Sequence, residues 1–176
     1  MNGHNIKAWG LPKTRQGNGG EMKIATATAV VDELGPLTKI VNDFCAKQAE
    51  VMAAGVSSPL DWEPVAEFLD VEEFKRVGAY LEEFNWPEYR KFLTGWVGGG
   101  TRFEMTVFHI TEIGNAVFQE IEERHHRGDE FIRKNVIAVY RFNSRNRIIH
   151  LDIYEQARDS GRWIVDAAKV AVNPAS

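Results

Sequence analysis

Residues 116–142 read AVFQEIEERHHRGDEFIRKNVIAVYRF, and the period of this stretch decides the fold. Apolar and polar residues alternate on both sides of Gly128-Asp129, a dipeptide suited to a two-residue hairpin turn, so the stretch predicts two antiparallel strands. With that turn as the pivot, Glu123 stands opposite Lys134, Ile121 opposite Val136, Gln119 opposite Ala138 and Val117 opposite Tyr140, all on one side of the sheet. Along the first strand that side carries Val117, Gln119, Ile121, Glu123 and His125. It starts apolar and ends polar, as a strand does when its near end packs in a core and its far end lines a cavity. The other side, Phe118, Glu120, Glu122, Arg124 and His126, is mostly charged and is read as facing solvent or a subunit contact.

Further strands flank this hairpin. Phe103 to Thr111 precedes it across Gly114-Asn115, and Ile148 to Glu155 follows it across Asn143 to Asn146, giving a four-stranded antiparallel meander. Upstream the period changes to that of helices. Leu37, Ile40, Val41, Phe44, Cys45, Val51 and Met52 share one helical face, and Gly55 with Ser57-Ser58-Pro59 stops that helix. Asp61 is expected to cap a second short helix holding Trp62, Val65, Phe68 and Leu69, with Pro64 in its first turn. Glu73 to Val77 alternates and predicts a short strand closed by Gly78. Asn85 with Glu88 three residues on forms a capping box, Phe84 is placed to staple against Tyr89, and Gly98-Gly99-Gly100 ends the helix that follows. A last helix is predicted after Asp159 or Ser160, through Trp163, Ile164, Ala167, Ala168 and Val170. Helices grouped ahead of a run of strands predict an α+β fold with the helices covering one face of a curved sheet.

The chain of 176 residues is read as one domain, 21–176, behind a Gly- and Asn-rich flexible arm, 1–20, in which Trp9 and Leu11 are the only candidate anchors. A charge of −4 with no basic stripe argues against nucleic acid. No apolar stretch approaches a membrane span, no secretory signal pattern opens the chain, and Cys45 is the single cysteine, so a reducing cytoplasm is expected, with no disulfide and no multi-cysteine zinc site. Cys45 itself lies on an apolar helical face and is read as a core residue. His125 and His126 point to opposite sides of a strand, so this dipeptide predicts no metal site. Gly98-Gly99-Gly100 lacks the Lys and Ser/Thr of a phosphate-binding loop.

Two groups could carry chemistry. Glu123 and Lys134 would face each other above a floor of Val, Ile and Ala, as base and electrostatic stabiliser, or else as a solvated cross-strand ion pair. The last strand presents His150, Asp152 and Tyr154 on one face and Ile149, Leu151, Ile153 and Glu155 on the other. Hydrophobicity turns the isoleucines and leucine inward; a one-residue slip in the preceding loop would instead bring His150, Asp152 and Tyr154 to Glu123 as acid, base and phenolic donor.

The order of elements over residues 35–156, together with Val107-Phe108-His109-Ile110, Asn115 to Glu120, Val139-Tyr140 and Ile148 to Glu155, resembles the NTF2-like (SnoaL-like) cone fold, and within it limonene-epoxide hydrolases and polyketide cyclases. The resemblance implies a curved antiparallel sheet with N-terminal helices on its concave face, an apolar pocket between them, and cofactor-free acid/base chemistry. In the epoxide hydrolases the site is an Asp-Arg-Asp set. Glu123 falls at the first carboxylate position and Asp152 at the second, but Ile121 holds the arginine position, which argues against epoxide hydrolysis; Arg76 could stand in for it. The cofactor-free lyases that remove formaldehyde from lignin-derived diarylpropanes are also similar, and the aromatic-rich segment Phe74 to Trp96 suits a large aromatic substrate. The expected function is thus a lyase or isomerase on a bulky hydrophobic molecule, with an epoxide hydrolase, a cyclase or a non-catalytic ligand-binding or dimerisation module as alternatives. Glu123, Lys134, Asp152, His150, Tyr154 and Arg76 are the expected catalytic groups. Phe74, Trp96, Met105, Val107, Gln119, His125 and Val136 are expected to contact substrate. The face bearing Phe118, Ile137 and Val139 is expected to bury against a second copy in a dimer.

Overall fold

A computed structural model describes residues 22–26 and 35–156. The arm 1–20 and the expected C-terminal helix lie outside the described residues. The elements run β1 (Met22–Thr26), α1 (Pro36–Ala54), a 3₁₀ helix (Pro59–Phe68), β2 (Lys75–Val77), β3 (Glu83–Asn85), α2 (Trp86–Gly98), β4 (Arg102–Ile113), β5 (Ala116–Arg127), β6 (Glu130–Phe142) and β7 (Ile148–Glu155). They form one seven-stranded sheet in the order β1-β4-β5-β6-β7-β2-β3.

The meander β4 to β7 is antiparallel throughout, and its register is the one the turn chemistry predicts: Glu123 pairs with Lys134, Ile121 with Val136, Gln119 with Ala138 and Val117 with Tyr140. Both tight hairpins turn on a glycine with positive φ, Gly114 at 60° and Gly128 at 56°, a backbone region open to glycine at little steric cost. The sheet goes beyond the predicted meander at both edges. β1 joins β4 in parallel, and β2 joins β7 in parallel while pairing antiparallel with β3. β4 carries a bulge between Val107 and His109, and the β6–β7 pairing one between Arg141 and Phe142.

The helices cover the concave face. Val41 and Phe44 of α1, Trp62 and Val65 of the 3₁₀ helix, and Leu93 and Val97 of α2 form one buried cluster with Val117, Ile121, Val136, Ala138 and Leu151 of the sheet. Three local expectations change in detail. The second helix is 3₁₀, its N-cap is Ser58 in place of Asp61, and Asp61 sits three residues on, where its carboxylate accepts the Ser57 and Ser58 amides at 2.8 Å. Pro64 therefore falls inside this helix and not in its first turn. The Asn85–Glu88 capping box forms as predicted, but Phe84 stacks on Phe92 at 5.3 Å, which in turn stacks on Tyr89. α1 has no capping side chain of its own; Glu112, at the end of β4, accepts the Leu37 and Thr38 amides at 2.9 Å and so ties the helix start to the sheet.

Candidate active site

Between the concave face and the helices lies a cavity of about 480 Å³, within the roughly 300–1,000 Å³ of small-molecule sites. Its inner end is made of neutral polar groups in an apolar setting. The Tyr140 hydroxyl donates to Gln119 Oε1 at 3.3 Å and lies 3.8 Å from Cys45 Sγ. Burial pushes the Cys45 thiol up to about 11 and the Tyr140 phenol well above its ordinary value. Burial also raises the Tyr89 phenol, against the opposing pull of the Arg76 charge. This end can offer hydrogen bonds but no ionised group near neutral pH.

The outer end is ionisable. Alternation along β5 turns Glu123 and His125 to the cavity, and Glu123 Oε2 lies 3.0 Å from His125 Nε2, with each side chain less than one-fifth exposed. Trp96 and Phe103 set their rings edge-on to the imidazole, with centroids 5.7 and 5.0 Å away, and fix its plane. An ionised carboxylate can only accept, so a neutral imidazole in this contact carries its proton on Nε2 and has Nδ1 as its acceptor. Lys134 stands opposite Glu123 in the register but reaches across to β7, where Nζ meets Glu155 Oε2 at 2.6 Å. Arg127 donates to Thr101 Oγ1 and the Trp96 carbonyl at the same rim. Arg76 of β2 enters from the far wall and pairs with Glu82 at 2.7 Å. Among the described residues no group of three or more His, Cys, Asp or Glu is placed to hold a metal ion.

No family model matches the chain, and no curated protein matches it by sequence. Solved structures do match its backbone. An LEH-like epoxide hydrolase from M. tuberculosis superposes with a TM-score of 0.54 at 19% identity, over 78% of this chain and 95% of that one. A protein from Shewanella denitrificans OS-217 assigned as a SnoaL-like polyketide cyclase gives 0.56 at 9%, over 78% and 99%. The BvnE pinacolase from Penicillium brevicompactum gives 0.54 at 11%, over 79% and 96%. The chain has the NTF2-like, SnoaL-like fold.

On this NTF2-like scaffold the predicted residues separate. Glu123, Lys134, Arg76, His125, Trp96 and Met105 line the cavity. Val107, Gln119 and Val136 are buried in the surrounding core and do not line it, and Phe74 is buried against Trp86 and Tyr89. His150, Asp152 and Tyr154 are not at the site. β7 pairs Leu151 with Tyr140, Ile153 with Ala138 and Glu155 with Val136, so its apolar side and Glu155 face inward, as hydrophobicity favours. The polar trio lies on the outer face, where Asp152 meets His150 at 2.9 Å and Arg141 at 3.1 Å and Tyr154 is exposed. The expected Glu123–Lys134 ion pair is likewise replaced, by Glu123–His125 and Lys134–Glu155. Glu155, Glu82, Tyr89, Tyr140 and Cys45 are cavity residues that the sequence reading did not assign to the site. The alternation that turned Leu151 and Ile153 inward carries Glu155 with them and was the available signal. No helix among the described residues is long and apolar enough to cross a membrane.

Proposed function

We propose that the protein is a cofactor-independent acid/base enzyme acting on a bulky hydrophobic small molecule, with Glu123 and His125 as the proton-transfer pair. The observation that carries this reading is the 3.0 Å contact between the two side chains at the wall of a largely apolar cavity. A His–carboxylate pair held in one tautomer by its own hydrogen bond and by flanking aromatic rings is poised to take a proton and return it. Lys134, opposite Glu123 and shared with Glu155, supplies positive charge to an oxyanion that forms when substrate carbon loses that proton or a carbon–carbon bond breaks. Met105, Trp96 and Phe103 exclude water on one side of the cavity, and Phe92 and Leu93 do so on another.

A lyase or isomerase reaction on an aromatic substrate, of the diarylpropane-lyase kind, fits the ring-rich wall and the absence of an arginine at Ile121. The epoxide hydrolase, polyketide cyclase and pinacolase among the structural neighbours are compatible with this class of chemistry and do not single out one reaction. A second copy docked on the outer face, where Phe118 and Ile137 are each more than one-third exposed, belongs to the same reading.

The test is turnover. Aromatic diols, epoxides and enones are incubated with the protein and the products read by mass spectrometry. For a converted compound, E123Q is expected to lose about 10²–10⁴-fold in kcat. Wild-type turnover in E123Q would reject Glu123, and tight binding of panel members without any conversion would make the protein a ligand-binding module instead.

A further inference from the structure

Arg76 is placed unlike the other cations of the cavity. Its side chain is only 10% exposed, and its Cζ lies 5.1, 5.7 and 5.9 Å from the ring centroids of Phe92, Phe84 and Tyr89. Rings on this scale attract the guanidinium and fix it, but they cannot replace the anion that a desolvated charge requires. Among the described residues that anion is Glu82, bound through the single nitrogen Nη1. A guanidinium presents five donors in a planar fork that matches a carboxylate edge to edge, and the Glu82 contact uses one of them.

The two partners are not equally held. Glu82 is about one-third exposed and sits at the end of the loop that joins β2 to β3, where its carboxylate also accepts the Tyr80 amide at 3.0 Å and its carbonyl accepts the Gly78 amide. Tyr80 and Leu81 at the tip are more than four-fifths exposed, and Leu81 adopts φ 63°, a left-handed conformation that is costly for a branched side chain. Glu82 lies on the solvent side of the pair and Arg76 on its buried side. The space in which they meet exists because residue 78 is glycine: a Cβ there would stand 1.7 Å from Glu82 Oε1 and 2.3 Å from Arg76 Nη1.

We propose that Arg76 is the receptor for a carboxylate carried by the ligand, and that Glu82 fills this position while the cavity is empty. The ligand is then a hydrophobic acid, its carboxylate on Arg76 and its apolar body along the Phe92–Tyr89 wall. This deepens the acid/base reading and rests on it, because Arg76, Glu123 and His125 line one cavity, with Tyr89 also in its wall.

Isothermal titration of the full chain with 2-naphthoate and with 2-naphthamide separates the acid group from the apolar body. Wild type is expected to prefer the acid. E82Q, which removes the competing carboxylate, is expected to widen the acid-to-amide ratio by about tenfold, while R76Q erases it. E83Q makes the same charge change on an exposed neighbour paired with Lys75 and is expected to leave the ratio alone. An unchanged or smaller ratio in E82Q overturns the proposal, and so does an equal widening in E83Q. If R76Q fails to fold, the E82Q and E83Q results decide. Amide binding with no acid preference, or binding of neither probe, would overturn Arg76 as receptor and leave the acid/base reading to its turnover test.

Discussion

Among the histidine–carboxylate pairs of the sheet, two join residues two apart on one strand, one pair on each face. Glu123 and His125 meet at 3.0 Å on the inner face, and Asp152 and His150 at 2.9 Å on the outer one. The residue types and the two-residue spacing along a strand are alike, so contact distance cannot tell them apart. Their surroundings do. The inner pair lines a cavity with rings against the imidazole, whereas the outer pair shares Asp152 with Arg141 and does not line that cavity. A pair becomes a site when a ligand can be held beside it away from water, because only there does a fixed dipole act on a developing charge at low dielectric.

The largest expected contrast is in turnover. E123Q should lose about 10²–10⁴-fold in kcat while D152N stays within about twofold of wild type, measured side by side on one converted substrate. Comparable losses in both would mean that the two faces are functionally alike and that the cavity is not where the chemistry occurs.

Stability should divide along the same line. Ile121 is buried under the helices, and its replacement by alanine is expected to cost about 2–5 kcal/mol. Ile137 on the outer face is 37% exposed, and Ile137→Ala should cost about 1 kcal/mol or less. Urea denaturation of the two variants reads the difference. An outer-face loss as large as the inner one would show that this face is also covered in solution, as a dimer would require.

The smallest effect concerns acid. Burial works to raise the Glu82 carboxyl, but the Arg76 hydrogen bond and charge, with help from backbone amides, hold it below its ordinary value of 4.5. A carboxyl with a lower pKa in the folded state adds stability that is present above 4.5 and is lost as pH falls through the depressed value. E82Q should therefore flatten the acid limb of a plot of Tm against pH below about 4.5, with little change at pH 7 in the slope of that plot. Glu83 is also held low, by the Lys75 hydrogen bond and charge, but it is more than half exposed, so E83Q should change the acid limb less. Equal flattening by both variants would mean that the enclosure of the Arg76–Glu82 pair adds nothing.

Much of the architecture could be read from local chemistry. Two-residue alternation set the four long strands, Gly114 and Gly128 set their turns and register, and Asn85 with Glu88 set the start of α2. β1 escaped notice because a strand that joins by parallel pairing has no adjacent turn to announce it, and β3 because three residues are too few to show a period. At the site, Glu123 and His125 were placed on the correct face by counting from the turn at Gly128-Asp129, since each residue along a strand reverses the side chain's direction.

Partner choice was a different matter. Whether Lys134 would pair with Glu123 on β5 or Glu155 on β7, and whether His150 or Leu151 would face inward, depended on how β7 docks on β6 beyond the irregular pairing at Arg141 and Phe142. That docking follows from burying Leu151 and Ile148 against the helices, an energy that belongs to the assembled layers and to no single segment. The residues, their strands and their alternating faces were written in the chain; the closing of helices over one of those faces made a cavity there, and made one of two similar pairs the candidate for chemistry.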